Sequence, residues 1–291
     1  MIGVEIGGGL GNQMFQYAFI VSNSAKLKRR FFLLKQGAPI ELYRYFKLKK
    51  NIFYYFDIIF FNHDGYRLAF SHYLRTAFYF FVTKYSIQRK IRVDNTDDPK
   101  SALESVFDKT LYKGYFQSAA YFNNARDEVI TAFELKKRIQ IEYRRKYPFP
   151  PCRKRVALHI RKTDYRDLAH LNLGGADLSL PFSYYHQVIN KIHHENNYYI
   201  FISDEPGLIA DEFDYLTEKL VSTDTAIVDF QHMLTADICV VANSTFSWWA
   251  AYLNKNPAKL IYCPKHFLGF KISEEYPVNI YPDEWTPVSV L

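Results

Sequence analysis

The second half of the chain sets short strand-like runs between helical segments, a spacing that a parallel sheet accommodates. Arg155–Ile160, Tyr198–Ile202, Asp237–Val241 and Lys259–Cys263 each read as a strand. Between them, Tyr184–Asn196, Phe230–Ala236 and Ser247–Leu253 carry helical spacing. Strands that alternate with helices imply crossover connections and hence parallel pairing. The amino terminus opens the same way. Ile2–Ile6 is a buried strand, Gly7–Gln13 a glycine-rich turn, and Met14–Lys28 a helix with Met14, Tyr17, Ala18, Val21 and Ala25 on one face. A strand–turn–helix opening is characteristic of α/β domains.

Residues from about 40 to 145 read as mostly helical, with Tyr- and Phe-rich faces. Arg126–Tyr147 is predicted as one helix with alternating charge on its outer side. It stops at Tyr147-Pro148-Phe149-Pro150-Pro151, because proline lacks the amide a helix needs and restricts the residue before it. The domain boundary is placed there, giving 1–150 and 151–291; the 291 residues suffice for two ordinary domains. Two apolar stretches, Ile52–Phe61 and Leu68–Val82, fall short of the roughly 20 apolar residues a membrane span requires. Core helices are the favoured reading and an interfacial helix pair the alternative. The opening Met1-Ile2-Gly3-Val4-Glu5 shows neither a basic nor a long apolar leader segment, so no secretory signal is expected.

The formal net charge of +7 favours anionic partners: nucleic acid, phosphate-bearing substrates or an acidic membrane surface. Much of the excess lies between Lys26 and Lys50, where Glu41 is the lone acid; a solvated basic face accounts for it, and attraction to a bilayer is the sharper alternative. Cys152, Cys239 and Cys263 are odd in number and form no Cys-x-x-Cys, which fits a reducing cytoplasm better than a disulfide framework. Aromatic residues make up 18% of the chain, a surplus that suits either an aromatic core or stacking on sugar faces.

Several chemistries are excluded by pattern. There is no Gly-x-x-x-x-Gly-Lys-Ser/Thr phosphate loop, no His-Glu-x-x-His, and no Asp-x-Asp of the kind that holds a nucleotide's divalent ion. If the chain uses a nucleotide sugar, something other than a metal must therefore neutralise the diphosphate. His159-Ile160-Arg161-Lys162-Thr163-Asp164-Tyr165 supplies the candidate. His159 and Arg161 lie two apart at a strand end and face the same side. An Arg at the carboxyl end of a strand grips a diphosphate through paired hydrogen bonds and stabilises charge growing on the leaving group; a surface pair of Arg161 or Lys162 with Asp164 fits the residues equally well. Asp204 closes another strand, where it either accepts from guanine N1 and N2 or caps the next turn. Asn243-Ser244-Thr245-Phe246 follows a third strand and starts a helix, an anion site or an ordinary Ser/Thr cap. Three strand ends so equipped weigh more together than singly.

Gly8-Gly9-Leu10-Gly11-Asn12-Gln13-Met14-Phe15-Gln16, Lys113-Gly114-Tyr115-Phe116-Gln117-Ser118, the His159–Tyr165 motif and Asn243–Ala251 together resemble the bacterial α-1,2-fucosyltransferases of glycosyltransferase family 11, over nearly the whole chain. The resemblance implies an α/β, GT-B-like fold with two Rossmann-like lobes facing across a cleft. The carboxyl-terminal lobe would bind GDP-fucose and the amino-terminal lobe mainly the acceptor, a galactose-terminated cell-surface glycan. It also implies that His159 and Asp204 read guanine, Arg161 holds the β-phosphate, and Ser244, Thr245 and Phe246 line the phosphates and ribose, with Asn243 heading that segment. Gly9, Asn12 and Gln13 would reach the reacting sugar. Lys162 stands where the family has a second Arg. No metal and no nucleic acid are expected, and the location implied is cytoplasmic, with peripheral association to the inner membrane left open. The reaction implied is inverting transfer of fucose to a galactose 2-hydroxyl; Asp164 and Glu5 are candidates for its base, and proton uptake by the diphosphate is the third route. Another GDP-sugar or linkage, or a noncatalytic glycan-binding protein, are the alternatives.

Overall fold

A computed structural model describes residues 1–35, 40–62, 65–66, 70–149 and 152–290. The chain divides into two compact units, Met1–Ile139 and Gln140–Leu291. Pro150 and Pro151, where the sequence-based boundary falls, and Leu68, which opens the second apolar stretch, lie outside the described residues.

The first unit runs β1 (Ile2–Glu5), α1 (Leu10–Leu27), β2 (Phe31–Leu34), α2 (Leu42–Tyr45), α3 (Ile52–Phe60), β3 (Phe61–Asn62), β4 (Gly65–Tyr66), α4 (Ser71–Ser86), β5 (Arg89–Arg92), α5 (Pro99–Glu104), β6 (Thr110–Lys113), α6 (Arg126–Ala132) and α7 (Lys137–Lys146), the last crossing into the second unit. Strands β2-β1-β6-β5 form a four-stranded parallel sheet. The expectation of a mostly helical segment from 40 to 145 is therefore corrected: β5 and β6 belong to the sheet. Both have four residues, too few to show a period, and β5 is the charged edge strand Arg-Lys-Ile-Arg. The single helix expected over Arg126–Tyr147 is also corrected. Leu135 bridges Phe46 antiparallel, and the amides of Lys47 and Lys136 bond Glu134 and Tyr45 carbonyls, so the backbone between α6 and α7 serves a strand-like contact. α1 begins four residues earlier than read, at Leu10, with Gly9 as its N-cap and the first intrahelical bond running from Gln13 N to Gly9 O.

Buried, mostly aromatic residues fill this unit: Phe32, Phe53, Tyr79 and Leu111 pack together, and Phe19 stacks on Phe116 at 3.8 Å. Beside it, Asp57 and Arg75 form a buried ion pair at 3.0 Å. Tyr43 and Tyr79 hydroxyls donate to the same carboxylate at 2.8 and 3.0 Å, and Arg75 also donates to the carbonyls of Leu33 and Lys35.

The second unit contains β7 (Lys154–Ile160), α8 (Phe182–Ile192), β8 (Asn197–Ser203), α9 (Pro206–Glu212), β9 (Lys219–Ser222), α10 (Ala226–Leu234), β10 (Ile238–Val240), α11 (Thr245–Leu253), β11 (Leu260–Pro264) and β12 (Thr286–Val288). Its six strands are all parallel, in the order β12-β11-β10-β7-β8-β9. That is the doubly wound order: the chain builds outward from β7 to β9, returns, and builds outward again from β10 to β12. Val156, Leu158, Phe201 and Val240 fill the sheet interior against Val188 and Ile189 of α8. Trp248 and Trp249 are fully buried, and Trp248 Nε1 donates to the Ile280 carbonyl at 2.8 Å, so these rings serve the core and not a sugar surface.

Candidate active site

In a doubly wound sheet the ligand crevice opens beyond the carboxyl ends of the two strands where the winding reverses, because the loops that follow them leave in opposite directions. In the second unit those strands are β7 and β10. The three sequence-flagged segments follow β7, β8 and β10, and the topology brings them to one edge of one sheet.

Arg161 stands immediately after β7. Its Nε lies 2.7 Å from Asp164 Oδ1 and 3.4 Å from Asp204 Oδ2. The hydrogen bond to Asp164 raises the Arg161 pKa further, burial opposing it, so the guanidinium is permanently charged. Among the described residues its two Nη nitrogens take no protein partner, and the side chain keeps 35% of its surface open. The fork is thus anchored by its inner edge with its outer edge available, the geometry suited to a bidentate grip on phosphate.

Asp204, just past β8, is mostly engaged with the β7 loop. Its Oδ1 accepts from Lys162 N at 3.0 Å; its Oδ2 accepts from Thr163 N at 3.0 Å and from the Thr163 hydroxyl. Burial raises its pKa, but the bonds from Thr163 and Lys162 and the Arg161 charge outweigh burial and hold it below the usual carboxylate range. Arg166 and Glu205 tie the same two loops with a bidentate pair at 2.8 and 2.6 Å. Sequence reasoning placed Asp204 at a ligand; its bracing of the Arg161 loop had no signal, since the partners lie 41 and 42 positions apart.

Lys162 turns the other way. Its ammonium is buried, donates to the Leu180 carbonyl at 2.6 Å and lies 4.3 Å from the Phe182 ring centroid. Burial lowers its pKa. This cation is spent inside the unit.

His159 is buried on β7 with its ring 5.4 Å from that of Phe246. Burial, reinforced by Arg161, pushes its pKa down to about 3, so the imidazole is neutral. Its Nδ1 is buried without a protein partner among the described residues, as is Oδ1 of Asn243, whose Nδ2 donates to Leu178 O at 2.8 Å. A buried polar atom without a partner costs about 1–3 kcal/mol unless something bonds it. Two such atoms, one on β7 and one just after β10, stand near the switch point, where a polar ligand or water can bond them. Ser244 is the N-cap of α11 with no side-chain cap bond of its own; nearby, burial pushes the Tyr165 hydroxyl pKa up to about 12, with Ser244 opposing. The first amides of α11, from Thr245 onward, lack intrahelical acceptors, as in any helix, and carry the positive end of its dipole.

The first unit has its own reversal, between β1 and β6. Gly7–Gly9 follow β1, and Gly114–Gln117 follow β6. Gly7 N donates to Gln16 Oε1 at 2.9 Å, Gln16 Nε2 to Gly114 O at 3.0 Å, and Gln117 Nε2 to Asn12 Oδ1 at 2.8 Å. Gln13 is fully buried, with its carboxamide bonded to Gly8 O at 3.1 Å and to Glu41 N at 3.1 Å, so it shapes the turn. Gly8 has φ +73°, and a Cβ there would meet Asn12 Nδ2 at 2.7 Å. Gly9 is exposed, with open space where a Cβ would stand. Asn12 remains partly exposed at this edge, and Glu5 pairs with Lys113 at 3.4 Å. The basic stretch is partly neutralised from elsewhere: Arg29 pairs with Asp108, Lys47 with Glu134 and Lys49 with Glu128. Among the described residues, no cluster of three or more His, Cys, Asp or Glu side chains is placed to hold a metal ion.

Taken by chemistry, the carboxyl-terminal unit is a doubly wound lobe whose switch point presents a fixed guanidinium, a helix N-terminus and unpaired buried polar atoms, an arrangement whose chemistry suits an anionic, phosphate-bearing ligand. The chain belongs to glycosyltransferase family 11, whose family model matches residues 1–286, and is a glycosyltransferase. It is 25% identical over 289 residues to an Escherichia coli O-antigen biosynthesis glycosyltransferase, WbnK, covering 91% of this chain and 94% of the relative. It is 24% identical over 299 residues to an Escherichia coli alpha-1,2-colitosyltransferase, covering 98% and 97%. Among solved structures, the fucosyltransferase NodZ from Bradyrhizobium aligns with TM-score 0.51 at 10% identity over 87% of this chain and 91% of its own. A variant of Arabidopsis thaliana FUT1 in complex with GDP aligns with TM-score 0.51 at 9% identity, covering 90% and 69%. These likenesses are of fold, and they bear out the GT-B-like α/β class.

Proposed function

We propose that the protein transfers L-fucose from GDP-β-L-fucose to the 2-hydroxyl of a galactose, forming an α-1,2 linkage with inversion and without a metal. The observation that carries this reading is Arg161: a charged fork at the β7–β10 switch point, braced by Asp164 and Asp204 through Nε, with its Nη edge open. The galactose oxygen attacks the fucose anomeric carbon from the face opposite GDP. The bond from that carbon to the β-phosphate oxygen breaks, and its electron pair leaves on the diphosphate. Arg161 stabilises that charge as it develops, the part a divalent ion plays elsewhere. The amides of α11 and Ser244, Thr245 and Phe246 meet the phosphates and ribose.

His159 and Asn243 offer their unpaired atoms to the nucleoside, and Asp204 adds the acceptor site left on Oδ1 beside its single bond from Lys162. The amino-terminal unit holds the acceptor, with Gly9 and Asn12 at the sugar. The proton passes to Glu5, to Asp164 or to the departing diphosphate. The site of action is the cytoplasm, in keeping with three free cysteines, two of them buried.

The relative that transfers colitose supports a second reading, in which the donor is a GDP-sugar other than GDP-fucose. The test is GDP release from GDP-fucose, GDP-colitose and GDP-mannose in the presence of lactose and a chelator, followed by linkage analysis of the product. The fucose reading requires turnover with GDP-fucose in chelator and a loss of about a hundredfold or more in Arg161→Ala. Collapse on chelation, or full activity in that variant, refutes the mechanism.

A further inference from the structure

The α3–α4 hairpin buries one face in the core and exposes a second apolar one. On α4, the side facing the protein carries Ser71, Arg75 and Tyr79, all buried. The opposite arc carries Tyr73, Leu74, Phe80, Phe81 and Tyr85, all exposed, with Tyr73 at 74% and Tyr85 at 75%. At 100° per residue these positions fall within one continuous face, with Phe70 at its head and Lys84 as its one charge. α3 has the same two faces: Phe53 and Asp57 are buried, whereas Ile52, Tyr55 and Ile59 are exposed. Phe53 and Tyr79, packed with Phe32 and Leu111 beside the buried Asp57–Arg75 pair, hold the hairpin in place while its other apolar face points outward. The core-helix reading of these stretches holds for one face: Phe53 and Tyr79 pack in the core beside the Asp57–Arg75 pair, while Ile52, Tyr55, Ile59, Tyr73, Phe80, Phe81 and Tyr85 form a second, exposed face.

Charge identifies what covers this surface. From Phe70 to Arg92 there is no Asp or Glu; Arg75 is buried against Asp57 and Arg92 pairs with Asp94, which leaves Lys84, Arg89 and Lys90 as the exposed cations of this surface. At the carboxyl end of α4 an open groove of about 490 Å³ is lined by Phe80, Lys84, Ile87, Arg89 and Lys90 among others, joining the aromatic face to exposed cations. Tyrosines set among Phe, Leu and Ile suit the depth where acyl chains meet headgroups, and cations at the rim suit phosphate. α4 has 16 residues, about 24 Å at 1.5 Å each, and no helix among the described residues is long and apolar enough to cross a membrane, so the hairpin would lie in the plane of a bilayer surface.

We propose that the outer face of α3 and α4 docks the protein on an anionic phospholipid surface, with Tyr73, Phe80, Phe81 and Tyr85 entering the interface and Lys84, Arg89 and Lys90 engaging the phosphates. The docking needs neither donor nor acceptor and stands apart from the transfer chemistry.

The test is co-sedimentation of the full chain with phosphatidylcholine vesicles, with and without phosphatidylglycerol, without nucleotide. Wild type should partition to the phosphatidylglycerol vesicles about tenfold or more better than to phosphatidylcholine alone. Phe80→Ser/Phe81→Ser/Tyr85→Ser should lose binding about tenfold or more to both, with an unchanged circular dichroism spectrum and unchanged transfer to a soluble acceptor. Lys84→Gln/Arg89→Gln/Lys90→Gln should lose only the preference for the anionic lipid. Wild type left in the supernatant at low salt, triple-serine protein that binds as wild type does, or light scattering that shows wild type paired through this face and indifferent to vesicles would each overturn the proposal.

Discussion

Asp204 and Arg161 meet at 3.4 Å across the ends of two adjacent strands, and the same carboxylate bonds the backbone amides of the two residues that follow Arg161. One acidic side chain therefore fixes both the path of the loop and the inner edge of the guanidinium. Hydrogen bonds to a charged acceptor contribute about 1.5–3 kcal/mol each. Asp204→Ala should lower stability by about 2–4 kcal/mol and GDP affinity by about tenfold or more, read by thermal denaturation and calorimetry. Asp204→Asn, which keeps one acceptor oxygen, should lose less of each. An alanine variant with native GDP affinity would remove Asp204 from this role.

Asp164 is mostly exposed and spends Oδ1 on Arg161 Nε at 2.7 Å. An orienting partner on the surface contributes about 1 kcal/mol or less, whereas a general base contributes about a hundredfold or more in rate. Asp164→Asn should raise the donor KM by about three- to tenfold and leave kcat within about threefold. A kcat fall of about a hundredfold with unchanged KM would instead identify Asp164 as the base.

Lys162 is held by the Leu180 carbonyl and the Phe182 ring, so its replacement should be felt as stability, not as donor binding. Lys162→Met should cost about 1–2 kcal/mol through the unpaired carbonyl while the donor KM stays within about twofold. Thermal denaturation with steady-state kinetics separates the two effects.

The Asp57–Arg75 pair is buried on both sides, at 0% and 3% side-chain exposure. Burial pushes the Asp57 carboxyl above its ordinary range, with Arg75, Tyr43 and Tyr79 opposing. Removing one partner strands the other: Arg75→Met should destabilise by about 3–5 kcal/mol, and the double variant Asp57→Leu/Arg75→Met by less. Denaturant titration of the three proteins checks the ordering.

Two groups on α10 titrate oppositely. Burial pushes Asp229 up to about 6, partly offset by its bond from Ser222 at 2.5 Å. Its folded form holds the proton more tightly than the unfolded chain, so between about pH 4 and 6 it removes stability as pH rises. Burial pushes His232 down to about 4. The unfolded chain then binds the extra proton, so its contribution is complete above about pH 6.5 and lost as pH falls towards 4. Asp229→Asn should steepen the loss of stability on acidification over that window by about 1–2 kcal/mol, the full linkage being reduced at this half-buried position. His232→Gln should flatten it. Equal slopes for wild type and both variants, in denaturant titrations from pH 4 to 7, would refute the assignment.

The strand ends were legible because a buried strand stops where polar residues begin: Ile160-Arg161, Ser203-Asp204 and Val241-Ala242-Asn243 are breaks in local pattern. The expected helices and strands of the second unit recur with shifts of a few residues at their ends, as for α8, read as Tyr184–Asn196 and found at Phe182–Ile192. The strands β2, β5, β6, β9 and β12 went unread, each with three or four residues and so without a measurable period.

By itself, then, the sequence determined the α/β class, the glycine turn and the polar residues at strand ends, all of which are written in neighbours a few positions apart. Only the tertiary structure decided which strands lie side by side, and with that the switch point where Arg161, Asp204 and Ser244 stand at one sheet edge. It also decided that Asp204 braces a loop, that Lys162 is spent inside, and that α3 and α4 expose a second apolar face beside the one they bury. Each of these depends on partners distant in sequence, 18 residues for Arg75 with Asp57 and 42 for Lys162 with Asp204. Such contacts exist only once the chain has closed on itself, because long-range packing and charge pairing, not local periodicity, choose the partner.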